Sequence, residues 1–305
     1  MSDLQRFESF TESKRIMLRS WTLGTAFGIP IRVHWSFFLL PVLVVVSNLK
    51  SGLGIIMLLL SLLFGVFVCV ILHELGHALM ARRYGIPTLD ITIYPIGGVA
   101  RLMHQGGPGQ PMLGERPWEE FWVAVAGPAV NVVIAGLLVG VLTLTSVPIT
   151  LQEDGLKQPA LWELFLNLLL ALNVLMVVFN MLPAFPMDGG RVFRALLATR
   201  LGYLRATQIA SVVGMVMAGL FVCFGMVKSP FLVIIGMFVY LGASQELIVA
   251  RQRSESTAHL TLHASAVPSE PNFSGFTWDR QARAWVEWRN GQPVQASFTE
   301  SQIAN

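Results

Sequence analysis

Residues 61–83 read SLLFGVFVCVILHELGHALMARR, an apolar run whose second half carries two histidines, a glutamate and two arginines. The run is long enough to cross a bilayer, which takes about 20 residues. His73 and His77 are four residues apart, so on a helix they lie on one face and can reach one metal ion, with Glu74 beside them. Ionisable residues are costly in an apolar helix and therefore indicate a functional site. The stretch predicts a membrane helix that holds a metal.

The composition of the whole chain fits a polytopic membrane protein. Of the 305 residues, 54% are hydrophobic and 13% are charged, about half the charged share of a soluble domain. Apolar runs predict six spanning helices, at about 34–50, 53–82, 118–146, 160–182, 205–227 and 230–250. Both cysteines lie inside these runs, so they form neither a zinc ribbon nor a disulfide framework.

The distribution of basic residues predicts the orientation, because lysine and arginine accumulate in cytoplasmic segments. With a cytoplasmic N-terminus, the outside receives Lys50, Lys157 and Lys228, and the other 18 of the 21 basic residues stay inside. The segment 191–205 is then a cytoplasmic loop. We therefore expect a multi-pass protein of the inner (plasma) membrane with both termini in the cytoplasm.

Two segments outside the spans have the composition of strands. Residues 22–33 and 88–103 combine β-branched and aromatic residues with glycine and proline, and could pair with each other. The glycine-rich and proline-rich stretch 104–117 predicts a flexible loop. We expect a small membrane-associated sheet or hairpin near the metal site.

The chain divides into four predicted parts. They are a cytoplasmic N-terminal segment with a short strand at 1–33, a six-span core at 34–250, a polar linker at 251–272 and a small β-rich tail at 273–305. Within the tail, Asn290-Gly291 is a strong signal for a β-hairpin turn.

Two histidines do not complete a catalytic zinc site, which usually has three protein ligands and water. The best third candidate is Asp188, in NMLPAFPMDGGR at 180–191. Prolines and glycines end or kink the fourth span there, and the freed backbone groups are tolerated only where the chain lines a cavity or is buried in protein. A simple cytoplasmic turn is the alternative, because Pro, Asp and Gly are ordinary turn residues.

Four motifs together resemble the site-2 protease family of intramembrane zinc metalloproteases. They are HELGHALMARRYG at 73–85, PIGGVA at 95–100, AVAGPAVN at 124–131 and NMLPAFPMDGGR at 180–191. The resemblance implies one zinc ion per chain, held by His73, His77 and Asp188, with Glu74 as the catalytic base and the site toward the cytoplasm. Some relatives carry a PDZ domain or a CBS pair; the 104–117 loop and the tail are too short for these, so we expect neither.

The resemblance also implies a substrate, the transmembrane helix of a single-span membrane protein such as an anti-sigma factor, cut by regulated intramembrane proteolysis. A nucleic-acid partner is not expected. Candidates for substrate binding are Asn131, Asn180, Gly97 and Gly98, with 91–103 as an exposed strand that could add the substrate as a further strand. For Asn131, an interhelical hydrogen bond is an equal alternative.

Two functions of other classes use the same ligands. A metal transporter would stagger ionisable residues through several spans, but the predicted spans are nearly free of charge outside the site. A catalytically inactive zinc-binding scaffold would be expected to lack Glu74 or a ligand, and all four residues are present. These features favour the hydrolase.

Overall fold

The computed structural model describes residues 20–95, 97–102, 113–149, 160–265, 272–279 and 284–299. The helices are α1 Leu39–Ser47, α2 Leu53–Arg83, α3 Pro117–Leu144, α4 Leu161–Asn180, α5 Asp188–Leu201, α6 Tyr203–Lys228 and α7 Pro230–Ser265. The strands are β1 Ser20–Ala26, β2 Ile29–His34, β3 Thr88–Tyr94, β4 Gly97–Leu102, β5 Gly275–Asp279, β6 Ala284–Arg289 and β7 Gln292–Thr299. Most of the predicted 104–117 loop lies outside the described residues.

Among the described residues, five helices are long and apolar enough to cross a membrane. They are α2, α3, α4, α6 and residues Pro230–Gln252 of α7. The prediction of a polytopic helical fold with a small sheet is confirmed. Helix α5 is an additional element, in the segment 191–205 that hydropathy predicts to be a loop.

The first predicted span, 34–50, differs from the prediction. It contains a 3-10 turn, Trp35–Phe38, followed by α1. Helix α1 ends before Asn48, whose side-chain N–H donates to the Val44 carbonyl at 2.9 Å. Together they extend over about 20 Å, less than the roughly 30 Å hydrocarbon core of a bilayer.

Strand β2, which precedes the 3-10 turn, lies against the middle of α2. Val33 and Ile93 form a buried cluster with Phe67, and the Phe37 ring lies 4.6 Å from the Phe67 ring. Phe67 is 14 residues from the start of α2, or about 21 Å along its axis. Helix α1 therefore has only the N-terminal half of α2 to cover, because the strand has already reached the middle of that helix.

The two predicted strand segments do pair. The sheet has the order β1-β2-β3-β4, and β2 runs parallel to β3 with Ile31 opposite Ile91. The prediction of one exposed strand over 91–103 is wrong in its extent. Pro95 falls between two antiparallel strands, so β3 is interior and β4 is the edge.

A buried carboxylate ties three of the strands together. Asp90 on β3 accepts a 2.7 Å bond from Arg101 Nε on β4, and Arg32 Nε on β2 lies 3.7 Å from it. The other face of the sheet packs on α2, where Ile29 and Ile91 meet Leu75. This packing brings the edge strand beside the part of α2 that carries the HExxH motif.

The C-terminal region contains one further correction. Helix α7 continues to Ser265, so most of the predicted linker at 251–272 is helical. Residues 251–265 contain no glycine or proline, so nothing interrupts the hydrogen bonds of the helix. The tail forms the antiparallel sheet β5-β6-β7, and the Asn290-Gly291 turn with positive φ at both residues joins β6 to β7 as predicted.

Candidate metal centre

Three buried side chains from two helices converge on one point. The Nε2 atoms of His73 and His77 on α2 are 3.1 Å apart, and each lies 3.1 Å from Asp188 Oδ2 at the start of α5. Each histidine Nε2 carries at most one hydrogen, so if both nitrogens donate to the Asp188 carboxylate, no hydrogen is left for a bond between them. Ligands around a tetrahedral zinc ion at 2.0–2.1 Å stand about 3.3 Å apart. The triangle therefore fits a metal ion.

The donor set is also right for zinc, which takes histidine nitrogen and carboxylate oxygen. Burial acts to raise the pKa of the Asp188 carboxyl, but hydrogen bonding with His73 and His77 outweighs it and holds that pKa below its usual range. The carboxyl is therefore ionised, which is the form that binds a metal.

The His77 ring is held by a bond outside the triangle. Its Nδ1 donates to the backbone carbonyl of Val123 on α3 at 2.7 Å. In the neutral ring that binds a metal, this bond keeps the hydrogen on Nδ1 and leaves the lone pair on Nε2, toward the triangle.

Two glycines allow α2 and α3 to approach at this point. A Cβ on Gly76 would lie 2.8 Å from the Ala126 carbonyl oxygen. A Cβ on Gly127 would collide with His77 Nε2 and lie 2.8 Å from His73 Nε2. In the sequence, the Gly127-Pro128 step inside an apolar helix is the signal that could have indicated this close approach.

Asp188 is positioned by a tight loop after α4. A bond from Met187 N to the Ala184 carbonyl at 3.0 Å closes a turn directly before α5 begins. A Cβ on Gly189 would collide with the backbone of Met181 and Leu182, and one on Gly190 would come within 2.8 Å of the Ala184 backbone. The loop therefore crosses directly over the glycine pair that follows Asp188.

Glu74 follows His73 directly in the sequence. It is half-buried and lies next to the edge strand β4. A Cβ on Gly98 would be 2.8 Å from Glu74 Cγ, so the β4 backbone runs directly past this carboxylate. Gly97, with φ 137°, begins β4 after the hairpin turn. The structure thus brings Gly98 to Glu74.

The two asparagine candidates differ in their surroundings. Asn131 lies one turn of α3 beyond Gly127 and is fully buried, and neither its amide oxygen nor its nitrogen has a partner among the described residues. Asn180 is half-buried at the last residue of α4, where the loop to Asp188 begins. Asn131 therefore has the free hydrogen-bonding capacity that a binding residue needs.

Comparison with known proteins finds one peptidase family and relatives that are named as zinc metalloproteases. The model of Peptidase family M50 matches residues 61–222. A zinc metalloprotease of Methanocaldococcus jannaschii is 37% identical over 72% of this chain and 58% of its own length. A putative zinc metalloprotease of Synechocystis is 30% identical over 82% of this chain and 65% of its own. The chain thus spans about 58–65% of the length of these two curated relatives.

A solved structure is similar over a larger share of its own length. The site-2 protease from Methanocaldococcus jannaschii matches with a TM-score of 0.51 and 33% identity, over 75% of this chain and 95% of that one. The matched family segment contains the HExxH motif, Gly127 and Asp188. The resemblance predicted from the four motifs is confirmed, and the chain belongs to peptidase family M50, the family of site-2 proteases.

Proposed function

We propose that the protein is an intramembrane zinc metalloendopeptidase that hydrolyses peptide bonds within or near transmembrane segments of other membrane proteins. The observation that carries the proposal is the triangle of His73, His77 and Asp188 with Glu74 on the same helix. That helix is long and apolar enough to span a membrane. Relatives named as zinc metalloproteases support the same reaction class.

His73 and His77 would hold the zinc ion through Nε2, and Asp188 through Oδ2. An ion held there supplies positive charge that polarises a peptide carbonyl and acidifies a water molecule. Glu74 accepts the proton of the attacking water and delivers it to the leaving amine. The Val123 carbonyl keeps the His77 ring in the tautomer that leaves Nε2 free.

The substrate must be extended before it can be cut, because a helix hides its peptide bonds in hydrogen bonds between residues four apart. Once unwound in the membrane, its backbone groups need new partners. The edge strand β4 runs past Glu74 and, within the described part of the chain, pairs with a strand on one side only, so an extended substrate can add to its other side. The Asn131 amide, and Asn180 where the loop to Asp188 begins, are further candidates to hold the substrate backbone.

The membrane, orientation and substrate complete the proposal. We place the protein in the inner membrane with both termini and the active site toward the cytoplasm, since His73 lies nine residues, or about 13 Å, before Arg82. The substrate is a single-span regulatory protein such as an anti-sigma factor, as the family resemblance suggests. A transporter or an inactive scaffold would use the same ligands without requiring Glu74.

Replacement of the base tests the reaction. Glu74→Gln keeps the side-chain shape but cannot accept a proton, so cleavage of a membrane reporter should fall by on the order of a hundredfold or more. Zinc content of the purified variant should stay near one ion per chain. Undiminished cleavage would refute the role of Glu74 as the base. A reporter left uncut by the unchanged, zinc-loaded protein would favour the transporter or scaffold. Membrane proteins that accumulate uncut in cells with this variant identify the substrate.

Gly127→Ala should reduce zinc content well below one ion per chain, because the added methyl group collides with His77 Nε2. Gly136→Ala is the matched control, since a Cβ there meets nothing within 4 Å on the same helix. Both variants are analysed for bound metal after purification. Equal zinc retention in the two would show that α2 and α3 do not need this close approach.

Strand addition is tested on β4. Tyr94 and Gly97 pair across a two-residue connection, so Gly97 directs its N–H group toward β3. Along β4 the direction of the N–H groups alternates from residue to residue. The N–H group of Ala100, three residues after Gly97, is therefore predicted to face away from β3, toward the free edge. Ala100→Pro removes that donor and should lower cleavage about tenfold or more, whereas Ala100→Ser keeps it. Both variants must retain zinc. An Ala100→Pro enzyme that retains zinc and cuts at the normal rate would mean that the substrate does not pair here.

Accessibility tags test the topology. A tag at residue 1 and one after Ser265 should both report the cytoplasm, and one within 151–158 should report the outside, from the distribution of basic residues. A tag at residue 1 that reports the outside would mean that β2 and α1 do not complete a crossing and that the protein has five spans.

A further inference from the structure

A buried cluster of charges lies outside the metal triangle. Arg194 on α5 donates from Nε to Glu120 on α3 at 3.0 Å and from Nη1 to Glu246 on α7 at 2.9 Å. Its Nη2 also contacts Glu120. Arg194 is 6% exposed and Glu120 is 2% exposed, so this pair is almost fully removed from solvent.

Both ends of the Arg194–Glu120 pair lie close in sequence to parts of the metal centre. Arg194 follows Asp188 by six residues on α5, and Glu120 precedes Val123 by three residues on α3. The Val123 carbonyl is the group that orients the His77 ring. One ion pair therefore fixes the helix that carries Asp188 against the turn that orients His77.

The third member, Glu246, connects the same arginine to α7. One turn earlier on α7, a Cβ on Gly242 would lie 2.9 Å from Pro186 N, so α7 also packs directly on the loop that leads to Asp188. The Arg194 guanidinium lies 4.9 Å from the centre of the Phe185 ring, which is part of that loop. Helix α7 thus contacts the support of Asp188 at two successive turns.

A pair of this kind contributes little net stability, because the cost of removing both charges from water offsets their attraction. What it does provide is geometry, since a planar guanidinium binds two carboxylates in fixed directions. A few tenths of an ångström at Asp188 matter to a metal site, in which ligand distances vary by only about 0.2 Å.

We propose that Arg194, Glu120 and Glu246 are positioning residues that set Asp188 and His77 at the spacing required for metal binding. The inference rests on the proposed function, because it takes Asp188 and His77 as ligands. The half-buried pair Arg116–Glu119, at 3.1 Å at the start of α3, provides the control: Glu119 neighbours Glu120 but does not pair with Arg194.

Metal affinity separates positioning from stability. The full chain, freed of metal in detergent, is titrated with Co²⁺, and the visible absorption bands report both affinity and coordination. Glu120→Gln and Arg194→Met should each bind Co²⁺ about tenfold more weakly, the lower end of what outer-sphere partners contribute. Glu119→Gln should bind as the unchanged protein does.

The double variant Arg194→Met with Glu120→Gln is decisive. It removes both buried charges together, so its unfolding temperature should recover relative to the less stable single variant. Its Co²⁺ affinity should stay about tenfold reduced with altered bands, because the tie between α3 and α5 is still missing. Recovery of affinity along with stability would overturn the proposal.

Failure of this inference differs from failure of the proposed function. If Asp188→Ala binds Co²⁺ as tightly as the unchanged protein, the ligand assignment is wrong. If Asp188→Ala loses binding but the cluster variants do not, only the positioning role is wrong. Should the buried variants fail to fold, Glu246→Gln replaces them, because its side chain is 29% exposed. It should weaken binding several-fold, and unchanged affinity would overturn the proposal.

Discussion

The close approach of α2 and α3 at Gly76 and Gly127 is the constraint on which the site depends. With a side chain at either glycine, the helices would separate, and the His77 ring would no longer reach the Val123 carbonyl at 2.7 Å. The two Nε2 atoms and Asp188 Oδ2 would then lose their common separation of 3.1 Å. A contact that involves no functional group thus determines the chemistry, because backbone distance fixes where the ring nitrogens lie.

Two buried charged groups, Asp90 and Arg194, support the site by joining separate elements around it. Asp90 joins β3 to β4 through Arg101, and so holds the edge strand beside Glu74. Arg194 joins α5 to α3 and α7. In an apolar surrounding each charge needs a partner, and each partner here lies on another element. The need for compensation therefore orders the sheet and the helices around one point.

Much of this arrangement is visible in the sequence because it depends on local composition. Apolar length gives the long helices, the spacing of His73 and His77 gives the metal face, and the proline and glycine break marks Asp188. The short length of α1 cannot be predicted from the sequence, because hydropathy does not show that β2 already packs against Phe67 in the middle of α2. The partners of Arg194 lie 74 and 52 residues away, and no local pattern links them.

The short length of the segment between β2 and α2 has a consequence for biogenesis. The apolar segment Trp35–Ser47 has only 13 residues and makes a weak insertion signal by itself, since the translocation machinery recognises segments of about 20. The strand before it pairs with β1 on one side, but its other side has no strand to pair with until β3 has been synthesised, about 55 residues later. The ribosome must therefore complete α2 before the N-terminal segment can settle, and the two helices enter the bilayer as a hairpin. The helix that carries the HExxH motif is therefore complete before Trp35–Ser47 packs against it.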